Sequence, residues 1–171
     1  EASALYTLAA KHGRRALAIC EASPKLGATF VAANLAVSLT QAGVKTLLID
    51  GNMREPMIQH MIIPDRELPG LRECLSVAGS SVGDYVQGDI LPNLSVLYSG
   101  GMAPNAQELL ARASFEQVIN SCLRDYEMTI IDTPPANSCA DARRIASVAA
   151  YSLIVSRRHK GRVSDVKTLA T

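Results

Sequence analysis

The sequence is poor in aromatic residues, which make up 4% of its 171 positions and include no tryptophan. It also lacks an excess of charge, since 17 basic and 16 acidic residues leave a net charge of +1. That balance provides no general attraction to nucleic acid or to an anionic membrane, so no nucleic-acid partner is expected. No apolar run approaches the ~18 residues of a membrane span, and residues 1–6 lack the layout of a secretory signal.

Cysteine is sparse and widely spaced. The four cysteines are Cys20, Cys74, Cys122 and Cys139, and none of them forms a C-x-x-C pair. This spacing argues against a disulfide framework and against a zinc site. Cys20 and Cys122 stand in apolar runs and are expected to be buried as small hydrophobic side chains. The pattern is typical of a reducing, cytosolic compartment.

The residues that are abundant predict one folded α/β domain. Hydrophobic residues make up 48% of the chain and charged residues 19%, which excludes a disordered chain. Apolar strands alternate with helical segments, as in a parallel sheet whose two faces are covered by helices. The predicted strands are 15–20, 44–50, 94–98, 128–132 and 151–156, and the predicted helices are 2–11, 29–42, 106–126 (one or two helices) and 140–150. Residues 64–89 are rich in loop signals and receive no assignment.

Functional groups of such folds gather at the carboxyl ends of the strands. This rule directs attention to residues 21–29, 50–54 and 132–135. Asp50 and Asp132 each close an apolar strand, which is where acids that order Mg²⁺ stand in phosphate-loop proteins. Both are also common positions for an acid in any α/β fold, so each one alone is weak evidence of function.

Residues 22–29, which read ASPKLGAT, lie between a predicted strand and a predicted helix. A phosphate-binding loop in this setting has the pattern G-x-x-x-x-G-K-[ST]. Gly27 and Thr29 match this pattern, and Ala22 is a tolerable substitute for its first glycine. The position of the phosphate-binding lysine is occupied by Ala28, so an ordinary strand-to-helix turn is the alternative interpretation of the loop.

From about residue 15 to residue 155 the sequence resembles the cytoplasmic domain of bacterial tyrosine kinases (BY-kinases), which belong to the ParA/MinD-like deviant-Walker ATPases. The resemblance implies a P-loop NTPase-like parallel sheet flanked by helices. It is carried by ASPKLGATFVAANLA (22–36), LLIDGNMREP (47–56), PGLRECL (69–75), LPNLSVLYSGGMAPNAQELL (91–110) and IIDTPPANSCADA (130–142). The combination of PNAQELL with IIDTPP is more specific than the loop alone.

The resemblance implies a set of nucleotide-binding residues, namely Gly27, Thr29, Lys25, Asp50, Arg54 and Asp132. Within this set Thr29, Asp50 and Asp132 would hold Mg²⁺, and the two acids would be catalytic in an active enzyme. Lys25 stands where the family has glycine, Ala28 where it has lysine, and Asn52 where it has a second acid. Lys25 is expected to need a positive φ, and Leu26 is expected at the outer rim of the loop.

The missing lysine at position 28 should weaken nucleotide binding. A charge-assisted contact of this kind is worth ~1.5–3 kcal/mol, or about 10- to 150-fold in affinity. Phosphoryl transfer should suffer more, because it depends on electrostatic stabilisation of the transferred group. ATP or ADP with Mg²⁺ is therefore expected to bind weakly or not at all, unless Lys25 replaces the lost ammonium group.

The leading hypothesis is a kinase-like domain without effective phosphoryl transfer that acts as a partner or regulator in exopolysaccharide or capsule assembly. The resemblance implies a cytoplasmic protein that reaches the inner membrane through a Wzz-like polysaccharide co-polymerase, with homo-oligomers as a further possibility. Two alternatives remain, an active tyrosine autokinase and a ParA/MinD-like positioning ATPase. The resemblance also implies one domain over residues 1–171 that lacks the family's last strand and helix and its tyrosine-rich tail.

Overall fold

The computed structural model describes residues 4, 7, 15–66, 69–149 and 151–158. In this part of the chain six strands form one sheet in the order β3-β4-β2-β5-β1-β6. The strands are β1 (Ala16–Glu21), β2 (Thr46–Asp50), β3 (Gln87–Leu91), β4 (Leu94–Leu97), β5 (Met128–Asp132) and β6 (Tyr151–Val155). All neighbouring pairs are parallel except β3 with β4. The predicted α/β architecture with a mostly parallel sheet is thus confirmed.

Helices cover both faces of the sheet. They are α1 (Ala28–Gln41), α2 (Ile58–Met61), α3 (Leu71–Ser76), α4 (Ala106–Ala111), α5 (Ala113–Asp125) and α6 (Asp141–Val148). The predicted segment 106–126 is two helices, because the backbone of Arg112 is extended, with φ −68° and ψ 151°. The predicted helix 2–11 lies almost entirely outside the described residues.

Alternation along the strands divides the core into two layers. Leu17 and Ile19 of β1 pack on one face of the sheet, together with α1. Ala16, Ala18 and Cys20 point to the other face, which is covered by α3, α4, α5 and α6. Successive side chains of a strand point to opposite faces, so strands buried on both sides are apolar throughout.

The first helix approaches the sheet closely because small residues line its buried side. Ala28, Ala32 and Ala36 recur at every fourth position, and all three are buried. Residues four apart lie on the same face of a helix. This packing fixes the start of α1 directly above the carboxyl end of β1.

The segment 64–89 contains more regular structure than its sequence predicts. It includes α3, a 3₁₀ turn at Val82–Asp84 and the first residues of β3. The strand β3 is the antiparallel edge of the sheet, a departure from the parallel arrangement expected for every strand.

All four cysteines are free. Cys20 and Cys122 are buried, as expected for small hydrophobic residues, and Cys74 is buried as well. No helix among the described residues combines the length and the apolar character that crossing a membrane requires.

Candidate functional site

The carboxyl ends of β1, β2 and β5 lie side by side in the middle of the sheet. Asp50, the last residue of β2, is directly opposite Asp132, the last residue of β5. Asp132 is in turn opposite Ile19 of β1, two residues before Glu21. The structure therefore brings together the two acids that the sequence places at strand ends.

Asp50 is completely buried and is held by backbone donors. Its Oδ1 accepts the N–H of Asn52 at 3.2 Å, and its Oδ2 accepts the N–H of Ile58 at 3.3 Å. Burial raises the pKa of Asp50 to about 7, although the backbone hydrogen bonds lower it in part. The loop after β2 thus wraps around this carboxyl group.

Asp132 is also completely buried, but neither of its carboxylate oxygens has a hydrogen-bond partner with acceptable geometry. Burial, followed by the charge of Asp50, raises the pKa of Asp132 to about 8, while the nearby Thr29 hydroxyl offsets part of the rise. Buried polar groups without partners are rare in folded proteins. The two oxygens of Asp132 therefore have a capacity to accept hydrogen bonds or bind a cation that the described residues leave unused.

Thr29, Asp50 and Asp132 fit a magnesium ion that arrives with a nucleotide. Mg²⁺ usually takes one or two carboxylates and completes its shell with water and phosphate oxygens, where it neutralises phosphate charge. The unpartnered oxygens of Asp132 match such a donor set. Among the described residues no group of three or more His, Cys, Asp or Glu side chains is arranged to hold a metal without other ligands.

The loop between β1 and α1 contains two residues with positive φ. Lys25 has φ 68° and Gly27 has φ 108°, so both residues are in the left-handed region. The expected positive φ at Lys25 is confirmed. Leu26 is 8% exposed, and its expected place at the outer rim of the loop is wrong, because its side chain turns into the protein. The methyl group of Ala28 is buried at the start of α1.

The side chain of Glu21 binds the backbone of this loop. Its carboxylate Oε2 accepts the backbone N–H of Gly27 at 2.8 Å and the backbone N–H of Ala28 at 3.1 Å. Glu21 is 7% exposed, and its own carbonyl accepts the N–H of Ala136 at 2.9 Å. An acid at the end of β1 therefore binds the loop amides that begin α1.

A cavity of about 360 Å³ opens above the loop. Its rim carries exposed apolar side chains of Phe30, Met57 and Met61. Lys25 is the one basic residue among the described residues that line it, against the two acids Glu21 and Glu55. A second cavity of about 400 Å³ lies between α3 and α5 and contains none of the candidate residues.

Arg54 and Asn52 are placed differently from the other candidates. The guanidinium of Arg54 donates from Nε to Asp141 at 2.7 Å and from its terminal nitrogen to the same carboxylate at 3.3 Å. Arg54 is not among the residues that line the cavity above the loop, and its predicted nucleotide contact stays a prediction. Asn52 is buried and accepts the N–H of Glu55 at 3.1 Å, so it orders the loop after β2.

Sequence reasoning gave Glu21 no role. The available signal was the same one that selected Asp50 and Asp132, an acid at the carboxyl end of a buried strand. The apolar rim of the cavity was also not predicted. Met57 precedes the four-residue helix α2 and Met61 ends it, and a helix this short shows no clear hydrophobic periodicity.

Residues 15–165 match the sequence model of a family described as the AAA domain. The chain is 35% identical to the putative tyrosine-protein kinase CapB of Staphylococcus aureus over 90% of its length. It is 36% identical to the tyrosine-protein kinase YwqD of Bacillus subtilis over 82% of its length. The chain belongs to the bacterial tyrosine-kinase branch of the AAA domain family.

Members of this kinase family are also found among solved structures. The kinase domain of the Escherichia coli tyrosine kinase ETK superposes with a TM-score of 0.89, at 26% identity, over 97% of this chain and 64% of that one. A septum site-determining protein MinD from Pyrococcus horikoshii, solved with Mg-ADP, has a TM-score of 0.75 over 91% of this chain and 64% of that one. Its identity of 19% supports a shared P-loop fold alone.

The chain is shorter than its kinase relatives. It spans 66% of CapB, 59% of YwqD and 20% of the putative tyrosine-protein kinase AmsA of Erwinia amylovora. The similarity therefore concerns one part of each relative, and the activity of a whole relative does not transfer to this chain by similarity.

Proposed function

We propose that this chain is a kinase-like domain without effective phosphoryl transfer, and that it acts as a non-catalytic partner or regulator in bacterial exopolysaccharide or capsule assembly. The observation that carries the proposal is the buried methyl group of Ala28 at the start of α1, beside an otherwise complete pair of strand-end acids. A lysine ammonium at this position would contact the phosphates and stabilise the transferred group. A methyl group supplies neither interaction.

The surrounding charges support the same conclusion. Phosphoryl transfer depends on positive groups that stabilise charge in the transition state. The cavity above the loop is lined by Glu21 and Glu55, with Lys25 as the single basic residue among its described lining. ATP or ADP with Mg²⁺ therefore binds weakly, through Gly27, Thr29, Asp50 and Asp132, without reacting.

The role in polysaccharide assembly rests on the kinase family to which the chain belongs. In this proposal the domain is cytoplasmic and reaches the inner membrane through a Wzz-like co-polymerase, alone or as a homo-oligomer. Neither nucleic acid nor direct contact with the membrane is part of the proposal, in keeping with the net charge of +1.

The biochemical test measures ATP hydrolysis and autophosphorylation by the purified chain with Mg²⁺, together with ATP affinity by calorimetry. The matched control is Asp132→Asn, which lacks one of the two acids expected to order the ion. We expect the wild-type chain and this variant to show the same background turnover. Turnover or tyrosine phosphorylation by the wild-type chain above that of the variant would overturn the proposal.

A cellular test addresses the partner role. Deletion of the gene should reduce the amount of surface polysaccharide or shorten its chains. We expect Asp132→Asn to restore the polysaccharide as fully as the wild-type gene does, because a non-catalytic partner does not need that carboxylate. Failure of this variant to restore it, at equal protein level, would contradict the proposal.

An active tyrosine kinase is the second candidate. It is favoured by the position of Lys25, which lines the cavity and has a side chain long enough to approach bound phosphates. The candidate predicts that Lys25→Ala weakens ATP binding at least tenfold, the minimum for a lost charge-assisted contact of ~1.5 kcal/mol. Unchanged affinity in Lys25→Ala would exclude a rescue of the site by Lys25.

A further inference from the structure

The backbone amides of Gly27 and Ala28 form the part of the loop that is best placed to bind an anion. They lie where the loop enters α1, a helix of 14 residues, and such N–H groups point outward at a helix N-terminus and attract negative charge. In the family pattern the same two positions precede a hydroxyl residue, here Thr29. These amides, which we call the phosphate cradle, are the groups that a nucleotide's phosphate oxygens would use.

In this chain the phosphate cradle already holds an anion. One oxygen of the Glu21 carboxylate accepts both amide protons, at 2.8 and 3.1 Å. Hydrogen bonds to an ionised acceptor are stronger than those to a neutral acceptor. Glu21 is only 7% exposed, so solvent competes little for this contact.

The fold fixes the backbone of Glu21 next to the phosphate cradle. Glu21 is the last residue of β1, where it is paired with Val155 of β6, and its carbonyl is bonded to Ala136 of the loop after β5. Because the backbone of Glu21 is fixed on both sides, only side-chain freedom is lost when its carboxylate binds the loop. An incoming phosphate, in contrast, must give up its translational freedom and also displace the carboxylate.

The loop has a backbone conformation that such an internal anion stabilises. Lys25 adopts φ 68° although it is not glycine, and Gly27 adopts φ 108°. Left-handed residues in a turn can direct successive backbone N–H groups into a concave anion-binding site. The carboxylate of Glu21 supplies the negative charge that this arrangement favours.

We propose that Glu21 is a built-in occupant of the phosphate cradle, which keeps the diphosphate groups of nucleotides out of a loop whose shape is otherwise suited to bind them. The inference deepens the proposed function and rests on it, since it assigns the weak nucleotide binding of a kinase-like domain to a specific carboxylate. It concerns the loop amides that would bind phosphate, whereas the missing lysine at position 28 concerns the lost ammonium contact.

The test measures the affinity of the full chain for pyrophosphate, by calorimetry and by the NMR shifts of the Gly27 and Ala28 amides. Glu21→Ser vacates the phosphate cradle, and Glu55→Ser removes one negative charge from the same cavity without touching the loop amides. We expect Glu21→Ser to bind pyrophosphate at least tenfold more tightly than the wild-type chain, with shifts at both amides. Glu55→Ser should change the affinity less than threefold.

Equal gains in the two variants would overturn the inference, because a general charge effect would then explain the result. The wild-type chain provides a measurement that does not depend on the stability of any variant. If pyrophosphate shifts the Gly27 and Ala28 amides of the wild-type chain at micromolar concentrations, the phosphate cradle is open and the inference is wrong.

These outcomes are separate from those that test the proposed function. Autophosphorylation by the wild-type chain would refute the proposed function whatever Glu21→Ser does to pyrophosphate binding. An inactive wild-type chain whose affinity for pyrophosphate is unaffected by Glu21→Ser would leave the proposed function standing and refute the role of Glu21.

Discussion

At the scale of single residues, the two strand-end acids define the electrostatics of the site. Asp50 and Asp132 are completely buried next to each other, and neither has a basic partner among its described hydrogen bonds. Burial favours the neutral form of a carboxyl group. In the absence of a cation the pair therefore keeps protons that exposed carboxyl groups would lose.

The first prediction concerns stability against pH. The folded protein holds protons on Asp132 up to pH values near its pKa of about 8, whereas the unfolded chain loses them near the usual value of 3.8. The free energy of unfolding should therefore fall as pH rises from about 4 to about 8. Asp132→Asn should remove part of this fall and make the protein more stable than the wild-type chain at pH 8.

Urea unfolding in metal-free buffer at pH 4.5 and pH 8 tests this prediction. At pH 4.5 the difference between the variant and the wild-type chain should be smaller than at pH 8, because this pH is close to 3.8, the pKa at which the unfolded chain begins to lose the Asp132 proton. Asp125→Asn is the control, since Asp125 is exposed at the end of α5. Parallel pH profiles for the wild-type chain and Asp132→Asn would contradict the prediction.

The second prediction couples two positions of the phosphate loop. Ala28→Lys should improve ATP binding only slightly while the carboxylate of Glu21 remains at the loop amides, because the two side chains would pair with each other. In the Glu21→Ser background the same lysine should tighten ATP binding by about 10- to 150-fold. A double-mutant cycle by calorimetry measures this coupling. Additive effects of the two substitutions would contradict it.

At the scale of elements, close contact between β2 and β5 aligns the acids. Gly51 follows β2 and donates its N–H to the carbonyl of Asp132 at 3.1 Å. A Cβ atom at this position would lie 2.5 Å from that carbonyl oxygen and 3.0 Å from Cδ1 of Ile145. The absence of a side chain at residue 51 therefore lets the two strand ends approach each other.

The third prediction follows from this contact. Gly51→Ala should lower the free energy of unfolding by about 1–3 kcal/mol, as overpacking does in well-packed interiors. Gly88→Ala is the matched control, because a Cβ atom there meets nothing within 4 Å. Thermal unfolding of the two variants measures the difference. Equal stability of Gly51→Ala and Gly88→Ala would show that the strand ends adapt without cost.

The elements also show how far sequence reasoning extends. The bounds of β5 are predicted without error, because an uninterrupted apolar run ending on an acid admits one interpretation. The strand β3, with the sequence QGDIL, is exposed at the sheet edge and forms by pairing with β4 rather than through its own propensity. The helix α3 has six residues, too few for a periodic pattern.

The candidate site also has a part that the sequence predicts and a part that it does not. The meeting of Asp50 and Asp132 follows from the parallel sheet, since such strands end at one edge. The bond from Glu21 to the amides of Gly27 and Ala28 depends on the φ values of the loop, and these are set by tertiary packing. Sequence patterns carry no record of that geometry.

At the scale of the whole molecule, burial decreases from the centre of the sheet to its edges. Every residue of β1, β2 and β5 is buried, whereas β3 and β6 alternate or are partly exposed. The free energy needed to open an element locally is as large as the global free energy of unfolding only for elements in the core. The sheet order therefore implies an order of local stability.

The fourth prediction is that amide hydrogen exchange is slowest in β1, β2 and β5 and fastest in β3. NMR exchange under native conditions should give protection in the central strands equal to the global free energy of unfolding. The amides of β3 should exchange at least tenfold faster than those of the central strands. Equal protection of β3 and β5 would contradict this gradient.

The position of β1 between β5 and β6 has a consequence for biosynthesis. Ala16 pairs with Thr129 and Leu17 pairs with Tyr151, so β1 leaves the ribosome long before either neighbour exists. At ~5–20 residues per second, the ~110 residues between β1 and β5 take roughly 5–20 s to translate. During that interval β1 has neither of its neighbouring strands, and its apolar side chains are exposed to aggregation.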